Sequence, residues 1–230
     1  MKRRILLAAC AVAILALAVG TATAIWPTTS IAGGQVSPTS PDGGAPSVAP
    51  TTFAVVGDSI SARASREGVD KAAGSWTTYA SQRGARFVNE GWAENGATLS
   101  EMQSHVTAID ADVLVILAGT NNLSSNMPIA DRLAIVGKIA QTADADRVVL
   151  SAVPPFDLNP AAATAWNAAL AHFAAQESFT FVDPWGSVRS ADATFVARFT
   201  VDGVHPTVKA AEIAGTKLRA AIIAMPGSEA

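Results

Sequence analysis

Short apolar runs alternate with longer stretches of mixed polarity from about residue 53 to the end of the chain. Five of these runs predict β-strands, at residues 53–56, 86–89, 113–118, 147–153 and 179–182. The run at 113–118 has no polar position, which is typical of a strand buried on both faces of a parallel sheet. The stretches between the runs predict helices, at residues 75–82, 128–143, 161–176 and 206–224.

This alternation predicts an α/β fold in which a parallel five-stranded sheet lies between two layers of helices. Ligands of such folds bind outside the carboxyl ends of the strands. Ser59 follows the first predicted strand and Asn121 follows the third, while Asp202 and His205 lie on the loop before the last helix. We therefore expect these four residues to meet at one edge of the sheet.

The first 24 residues predict a targeting segment. Positions 2–4 are basic, positions 5–19 are apolar, and positions 22–24 have the small residues of a signal-peptide cleavage site. We expect a signal peptide and secretion. The alternative is a retained membrane tether, because residues 5–25 approach the ~20 apolar positions that span a bilayer. Both interpretations predict an extracytoplasmic protein associated with the cell envelope.

A change of composition separates this segment from the predicted domain at residues 53–226. Residues 25–52 are rich in Pro, Ser, Thr and Gly and include only one charged residue, Asp42. Such a stretch buries too little apolar surface to offset the entropy of ordering it, so it predicts a flexible linker. The only cysteine, Cys10, lies inside the apolar run. We expect no lipid attached there, and in the domain no disulfide and no thiol nucleophile.

Composition narrows the classes of function. Half of the 230 residues are apolar, 15% are charged, and the net charge is -3 with no basic stripe. These values predict one domain with a sizeable core and argue against nucleic acid as a partner. A catalytic zinc site takes three protein ligands, usually several His or Cys, and the predicted domain lacks such a set. We expect no metal, no cofactor and a monomer.

Of the three histidines, only His205 lies on a predicted site loop with a carboxylate three residues before it. Asp202 precedes it by three residues, so that the carboxylate can orient the imidazole and leave its other nitrogen as a base. His172 lies in the predicted helix 161–176, and His105 lies in a further predicted helix after Met102, away from the predicted strand ends. Ser59 supplies a hydroxyl that such a base can activate. Taken alone, each residue also has a non-catalytic explanation: Ser59 as a helix N-cap, and His205 as a surface side chain beside a capping Asp202.

Acyl transfer to a serine also needs donors for the oxyanion of the intermediate. Two loops offer candidates, because Gly96 follows the second strand and can present a backbone N–H, and Asn121 can present a side-chain amide. The Ser59 N–H is a third candidate, since it lies close to the start of a helix. An ordinary turn glycine and a polar cap remain the alternative interpretations of the two loops.

Four short motifs, in this order, resemble the sequence blocks of the SGNH hydrolases, also called the GDSL esterase/lipase family: Gly57-Asp58-Ser59, Gly96, Gly119-Thr120-Asn121-Asn122 and Asp202-Gly203-Val204-His205-Pro206. The resemblance runs from about residue 53 to the C-terminal helix. It implies a flavodoxin-like sheet, a catalytic triad and an oxyanion hole. Carried over to this sequence, the triad is Ser59, His205 and Asp202, and the oxyanion donors are Ser59, Gly96 and Asn121.

The sequence departs from the family pattern at two positions of these blocks. Ile60 replaces the usual leucine after the serine, and Asn122 replaces the usual aspartate beside Asn121. The residues after Ser59 do not form the G-x-S-x-G motif, which argues against the elbow of the α/β-hydrolases.

The resemblance predicts a serine esterase that cleaves short-chain carboxylic esters, with O-acetyl groups on carbohydrate as one candidate substrate. Trp92 and Asn122 are candidate substrate contacts, although core packing is the alternative explanation for Trp92. Two other functions stay open: an O-acyltransferase of the cell envelope that uses the same site, and a non-catalytic glycan-binding module.

Overall fold

A computed structural model describes residues 49–62 and 74–224 of the chain. The predicted signal peptide or tether lies outside the described residues, as do most of the predicted linker and the last residues of the predicted domain. Among the residues that the structure describes, no helix is both long and apolar enough to cross a bilayer.

Five parallel strands form one sheet with the order β2-β1-β3-β4-β5. The strands are β1 Thr51–Gly57, β2 Ala85–Ala93, β3 Val113–Leu117, β4 Arg147–Ser151 and β5 Thr180–Val182. The helices are α1 Trp76–Ala80, α2 Leu99–His105, α3 Ile129–Ala143, α4 Pro160–Glu177 and α5 Val208–Ile223. The predicted α/β architecture is confirmed.

Strand β3 shows how the sheet separates two cores. Successive side chains of a strand point to opposite faces. Leu114 and Ile116 therefore pack with residues of α2, α3 and α4, whereas Val113, Val115 and Leu117 pack with residues of α1 and α5. All five residues of β3 are buried, which explains why its run in the sequence lacks polar positions.

Capping residues explain several helix boundaries. Helix α2 begins after Thr98, whose hydroxyl accepts from the Glu101 N–H while the Glu101 side chain accepts from the Thr98 N–H. The last helix begins at Val208 rather than at the predicted residue 206, because Pro206 forms an antiparallel bridge with Thr200. The chain before α5 is therefore a closed loop and not a helical turn.

Strand β2 is longer than the predicted residues 86–89. The register between β1 and β2 passes from the pair Phe53–Phe87 to the pair Val55–Gly91, so β2 has extra residues in a bulge. Gly91 has a φ of +81°, and a Cβ there would lie 2.3 Å from the Val55 carbonyl oxygen. Because polar Glu90 and Gly91 interrupt the apolar pattern, the continuation of the strand through Trp92 was not apparent.

Candidate active site

The register of the three central strands brings the predicted site loops together. Strand β1 lies between β2 and β3, and its last residue, Gly57, pairs with Ala93 on one side and Leu117 on the other. The Glu94 N–H donates to the Gly57 carbonyl across this edge at 3.4 Å. The loops that carry Ser59, Gly96 and Asn121 therefore leave the same edge of the sheet.

The side chains of Ser59, His205 and Asp202 form a continuous line of contacts. Ser59 Oγ lies 2.9 Å from His205 Nε2, and His205 Nδ1 lies 2.8 Å from Asp202 Oδ2. With the ring proton on Nδ1 donated to the carboxylate, Nε2 is left to accept the serine hydroxyl. Ser59 and His205 are partly exposed, so an external molecule can reach the hydroxyl.

Local hydrogen bonds hold the loop that carries the carboxylate and the imidazole. Asp202 Oδ1 accepts from the backbone N–H groups of Val204 and His205, at 3.0 and 2.7 Å. Thr200 Oγ1 accepts from the N–H of Gly203 at 2.8 Å and donates to the carbonyl of His205 at 3.0 Å. The loop thus closes on itself between Thr200 and His205.

These contacts decide the ionisation of Asp202. The backbone N–H of His205, followed by its imidazole, lowers the pKa of the Asp202 carboxyl to about 2, because hydrogen bonds favour the charged form. The carboxylate therefore keeps its negative charge throughout the neutral range, where it can stabilise a protonated imidazole.

Asp58, the residue before Ser59, is in the opposite environment. Its side chain is fully buried, and desolvation raises its pKa to about 6. Oδ1 accepts from the Ile60 N–H at 3.0 Å. The nearby Thr120 hydroxyl offsets part of this rise in pKa. Its contact with Asp58 does not have the geometry of a full hydrogen bond. Asp58 Oδ2 and Thr120 Oγ1 are therefore among the described buried atoms that lack a hydrogen-bond partner.

Of the two asparagines after β3, Asn121 binds the loop after β2 and Asn122 binds the first residue of α2. Asn121 Nδ2 donates to the Ala97 carbonyl at 2.9 Å, and the exposed side chain keeps a second amide hydrogen. Asn122 Oδ1 accepts from the Leu99 N–H at 3.0 Å. Gly96 is exposed and has a φ of +76°. The structure thus places the three predicted oxyanion residues on adjacent loops.

The two predicted substrate contacts are placed differently from Ser59, His205 and Asp202. Asn122 is 3% exposed and its amide links two loops, so its burial does not support the expected contact with substrate. Trp92 is half-buried, packs against the core on the α2–α4 face, and stacks on the His105 ring with centroids 4.6 Å apart. These contacts agree with the alternative interpretation of Trp92 as a packing residue.

Three residues that support the site were not recognised from the sequence. Thr200 closes the loop of Asp202, and the Asp157 N–H donates to the Gly203 carbonyl at 2.9 Å. Trp166 donates to the Ala118 carbonyl at the end of β3. A hydroxyl residue two positions before Asp202 is a recognisable turn signal. The other two act over distances in sequence at which no local pattern exists.

Comparisons with known proteins bear on the family and the fold of the chain. A model of the GDSL-like lipase/acylhydrolase family matches residues 55–213. A search of curated proteins finds no match. Solved structures with a similar fold include a GDSL-like lipase from Bacteroides thetaiotaomicron, with 17% identity and a TM-score of 0.56 over 75% of this chain and 87% of that chain.

Two further structures show the same relationship. A member of the lipolytic G-D-S-L family from Veillonella parvula has 16% identity and a TM-score of 0.57, over 72% of this chain and 94% of that chain. A variant of an acetyl xylan esterase from Geobacillus stearothermophilus has 17% identity and a TM-score of 0.59, over 76% of this chain and 95% of that chain. At these identities the structures establish the shared fold alone.

Proposed function

The chain belongs to the GDSL-like lipase/acylhydrolase family and is a carboxylic ester hydrolase, and from this we propose that Ser59, His205 and Asp202 are its catalytic triad. The observation that carries the proposal is the unbroken line from Ser59 Oγ through both ring nitrogens of His205 to Asp202 Oδ2, with distances of 2.9 and 2.8 Å. The orientation of the three side chains and the ionised Asp202 support this assignment, because acyl transfer through a serine requires a base that a carboxylate orients.

In the first half of the reaction, Ser59 Oγ attacks the ester carbonyl carbon while its proton passes to His205 Nε2. The ionised Asp202 stabilises the imidazolium that forms. The carbonyl oxygen becomes negatively charged and accepts hydrogen bonds from the N–H groups of Ser59 and Gly96 and from the free amide hydrogen of Asn121. The C–O bond then breaks, and the alcohol leaves with the proton from His205.

In the second half, water replaces the alcohol. His205 removes a proton from the water, the hydroxide attacks the acyl-serine carbonyl, and the same three donors hold the second oxyanion. Collapse of this intermediate returns the proton to Ser59 Oγ and releases the acid. No redox partner or external base is needed, because the proton moves only among Ser59, His205 and the substrates.

Replacement of the nucleophile tests the proposal. We expect Ser59→Ala to lower kcat/KM for p-nitrophenyl acetate by about 10³-fold or more, because the remaining groups only bind and polarise the ester. Ser187→Ala, at an exposed serine outside the site, is the matched control and should retain wild-type activity. A fluorophosphonate probe should label the wild type and the control but not Ser59→Ala. Undiminished hydrolysis by Ser59→Ala would refute the assignment.

We propose further that the natural ester has a short acyl group, with carbohydrate O-acetyl groups as the leading candidate. Asn121 and Asp202 are exposed, so the described loops around Ser59 leave the site open. The fold shared with an acetyl xylan esterase favours this class. Initial rates on p-nitrophenyl esters of two to twelve carbons, together with acetate release from acetylated oligosaccharides, test it. A rate maximum at eight carbons or more contradicts the proposal.

We also propose that the enzyme acts outside the cytoplasm. Support comes from the basic, apolar and small-residue regions within residues 1–24. Mass spectrometry of the protein recovered from culture medium should find a mature chain that begins at Ile25. Recovery of the intact chain from the cytoplasm alone would contradict this proposal.

A further inference from the structure

Three fully buried tryptophans share one feature: each indole N–H donates to an acceptor that lies one to four residues after the end of a strand. Trp166 donates to the Ala118 carbonyl at 3.1 Å, Trp185 to the Ala152 carbonyl at 2.8 Å, and Trp76 to Ser61 Oγ at 3.0 Å. Ala118 and Ala152 directly follow β3 and β4. The acceptors therefore lie beneath the edge of the sheet from which the site loops extend.

Trp166 holds the chain at the point where β3 turns into the loop of Asn121. Gly119 has a φ of +109° there, a conformation that favours glycine. A Cβ on Gly119 would lie 2.5 Å from Trp166 Nε1 and 2.8 Å from Cε2, so the indole occupies the space beside its Cα. One side chain from α4 thus binds the Ala118 carbonyl, 48 residues earlier in the chain, and also fills the space beside Gly119.

We infer that Trp166 is a positioning residue for the oxyanion donor Asn121. Asn121 lies only two residues after Gly119, where the indole supports the turn, and is part of the short 3₁₀ helix Thr120–Asn122. Its amide nitrogen already donates one hydrogen to the Ala97 carbonyl, and this bond fixes the direction of the second amide hydrogen. The inference rests on the proposed function, in which that hydrogen contacts the oxyanion. A shift of the turn displaces the donor from the intermediate, and such misplacement is costly to the rate.

The chain supplies a matched control for this role. Trp185 is equally buried and donates the same kind of hydrogen bond to a carbonyl at the end of a strand, but β4 does not lead to a proposed oxyanion donor. Trp166→Phe and Trp185→Phe each remove one indole donor from a carbonyl, although the Ala152 carbonyl keeps the Ser151 hydroxyl as a second donor at 2.9 Å. Thermal unfolding therefore has to be measured for both variants, and their effects on catalysis should differ.

A double-mutant cycle with Asn121→Ala tests the inference. We expect Trp166→Phe to lower kcat about 10-fold, and Asn121→Ala about 10²-fold, with KM and the pH profile unchanged. In the Asn121→Ala background, Trp166→Phe should lower kcat by less than about 2-fold, because there is no donor left to misplace. Trp185→Phe should have an equally small effect in both backgrounds. Circular dichroism and thermal unfolding establish that all variants fold.

The outcomes separate the inference from the function on which it rests. Additive losses for Trp166→Phe and Asn121→Ala, or equal losses for the two tryptophan variants, overturn the inference and leave the triad untouched. If Asn121→Ala has full activity, the oxyanion role of Asn121 fails and the inference fails with it. Should Trp166→Phe not fold, 3-benzothienylalanine at position 166 keeps the outline of the ring and removes only the N–H donor. The effect of this substitution on kcat is then compared in the wild-type and Asn121→Ala backgrounds, with the same outcomes supporting or overturning the inference.

Discussion

The two halves of the candidate triad are stabilised in opposite ways. The loop of Ser59 is anchored in the core by buried groups. Asp58 and Ser61 are 0% exposed, and Ser61 Oγ accepts a hydrogen bond from the indole of Trp76. The loop of Asp202 and His205 is held by its own hydrogen bonds, and its two polar side chains are 50% and 41% exposed. The proposed nucleophile therefore depends on the core, whereas the proposed base depends on a short segment that closes on itself.

This difference has a physical consequence for ionisable groups. A buried carboxyl loses hydration and its pKa rises, as at Asp58, whereas an exposed carboxyl that accepts three N–H donors is stabilised as an anion, as at Asp202. Mutations of the buried residues next to Ser59, such as Asp58, should act mainly on stability, whereas mutations in the Asp202 loop should act mainly on catalysis. Three substitutions test this contrast.

The largest effect is expected from Asp202→Asn. The amide can still accept the N–H of His205 through Oδ1, but its NH₂ group opposes the Nδ1 proton of the imidazole and favours the wrong tautomer. We expect kcat to fall about 10³- to 10⁴-fold. The free energy of unfolding in urea at pH 7 should change by less than about 1 kcal/mol, because the site is exposed. A large loss of stability would show that this loop also depends on the core.

A second effect, of opposite kind, is expected from Asp58→Asn. The pKa of Asp58 rises from an ordinary 3.8 to about 6 on folding, so the native state holds the proton more tightly. This contribution to stability is fully present below pH 3.8 and is lost as the pH rises through 6. At pH 8 the buried charge costs about 3 kcal/mol, at 1.36 kcal/mol per pKa unit. Asparagine carries no such charge.

Urea unfolding of the wild type and Asp58→Asn at pH 4 and pH 8 provides the measurement. The variant should be more stable than the wild type by about 2–3 kcal/mol at pH 8, with almost no difference at pH 4. The difference between the two proteins cancels the titration of all other carboxyls. A gain of the same size at both pH values contradicts the burial argument, because it cannot come from ionisation.

The smallest effect is expected from Thr200→Val, which removes the hydroxyl that closes the loop of Asp202. The N–H of Gly203 and the carbonyl of His205 lose a partner, and the imidazole is less well oriented toward Ser59. We expect kcat to fall about 10-fold with KM unchanged. Thr200→Ser keeps the hydroxyl and should restore activity. Failure of the serine variant to do so would assign the loss to the missing methyl group instead.

The sequence predicted the parts of this protein that depend on neighbours in the chain. The buried strands were recognisable because parallel strands covered on both faces need continuous apolar runs, as at residues 113–117. The pairing of Asp202 with His205 was recognisable because it spans three residues. The order of the four motifs suggested the family, which the match over residues 55–213 then established.

The tertiary structure decided what depends on contacts across the chain. Ser59 meets His205 over 146 residues, and Trp166 reaches the end of β3 over 48. The bulge at Gly91 and the burial of Asn122 follow from the packing of neighbouring strands and loops. Local sequence patterns indicate which face of a helix or strand is apolar, but they do not indicate which residues, distant in sequence, pack against that face. The members of the candidate triad were therefore predictable by residue type, whereas the residues that support them became visible only in the folded chain.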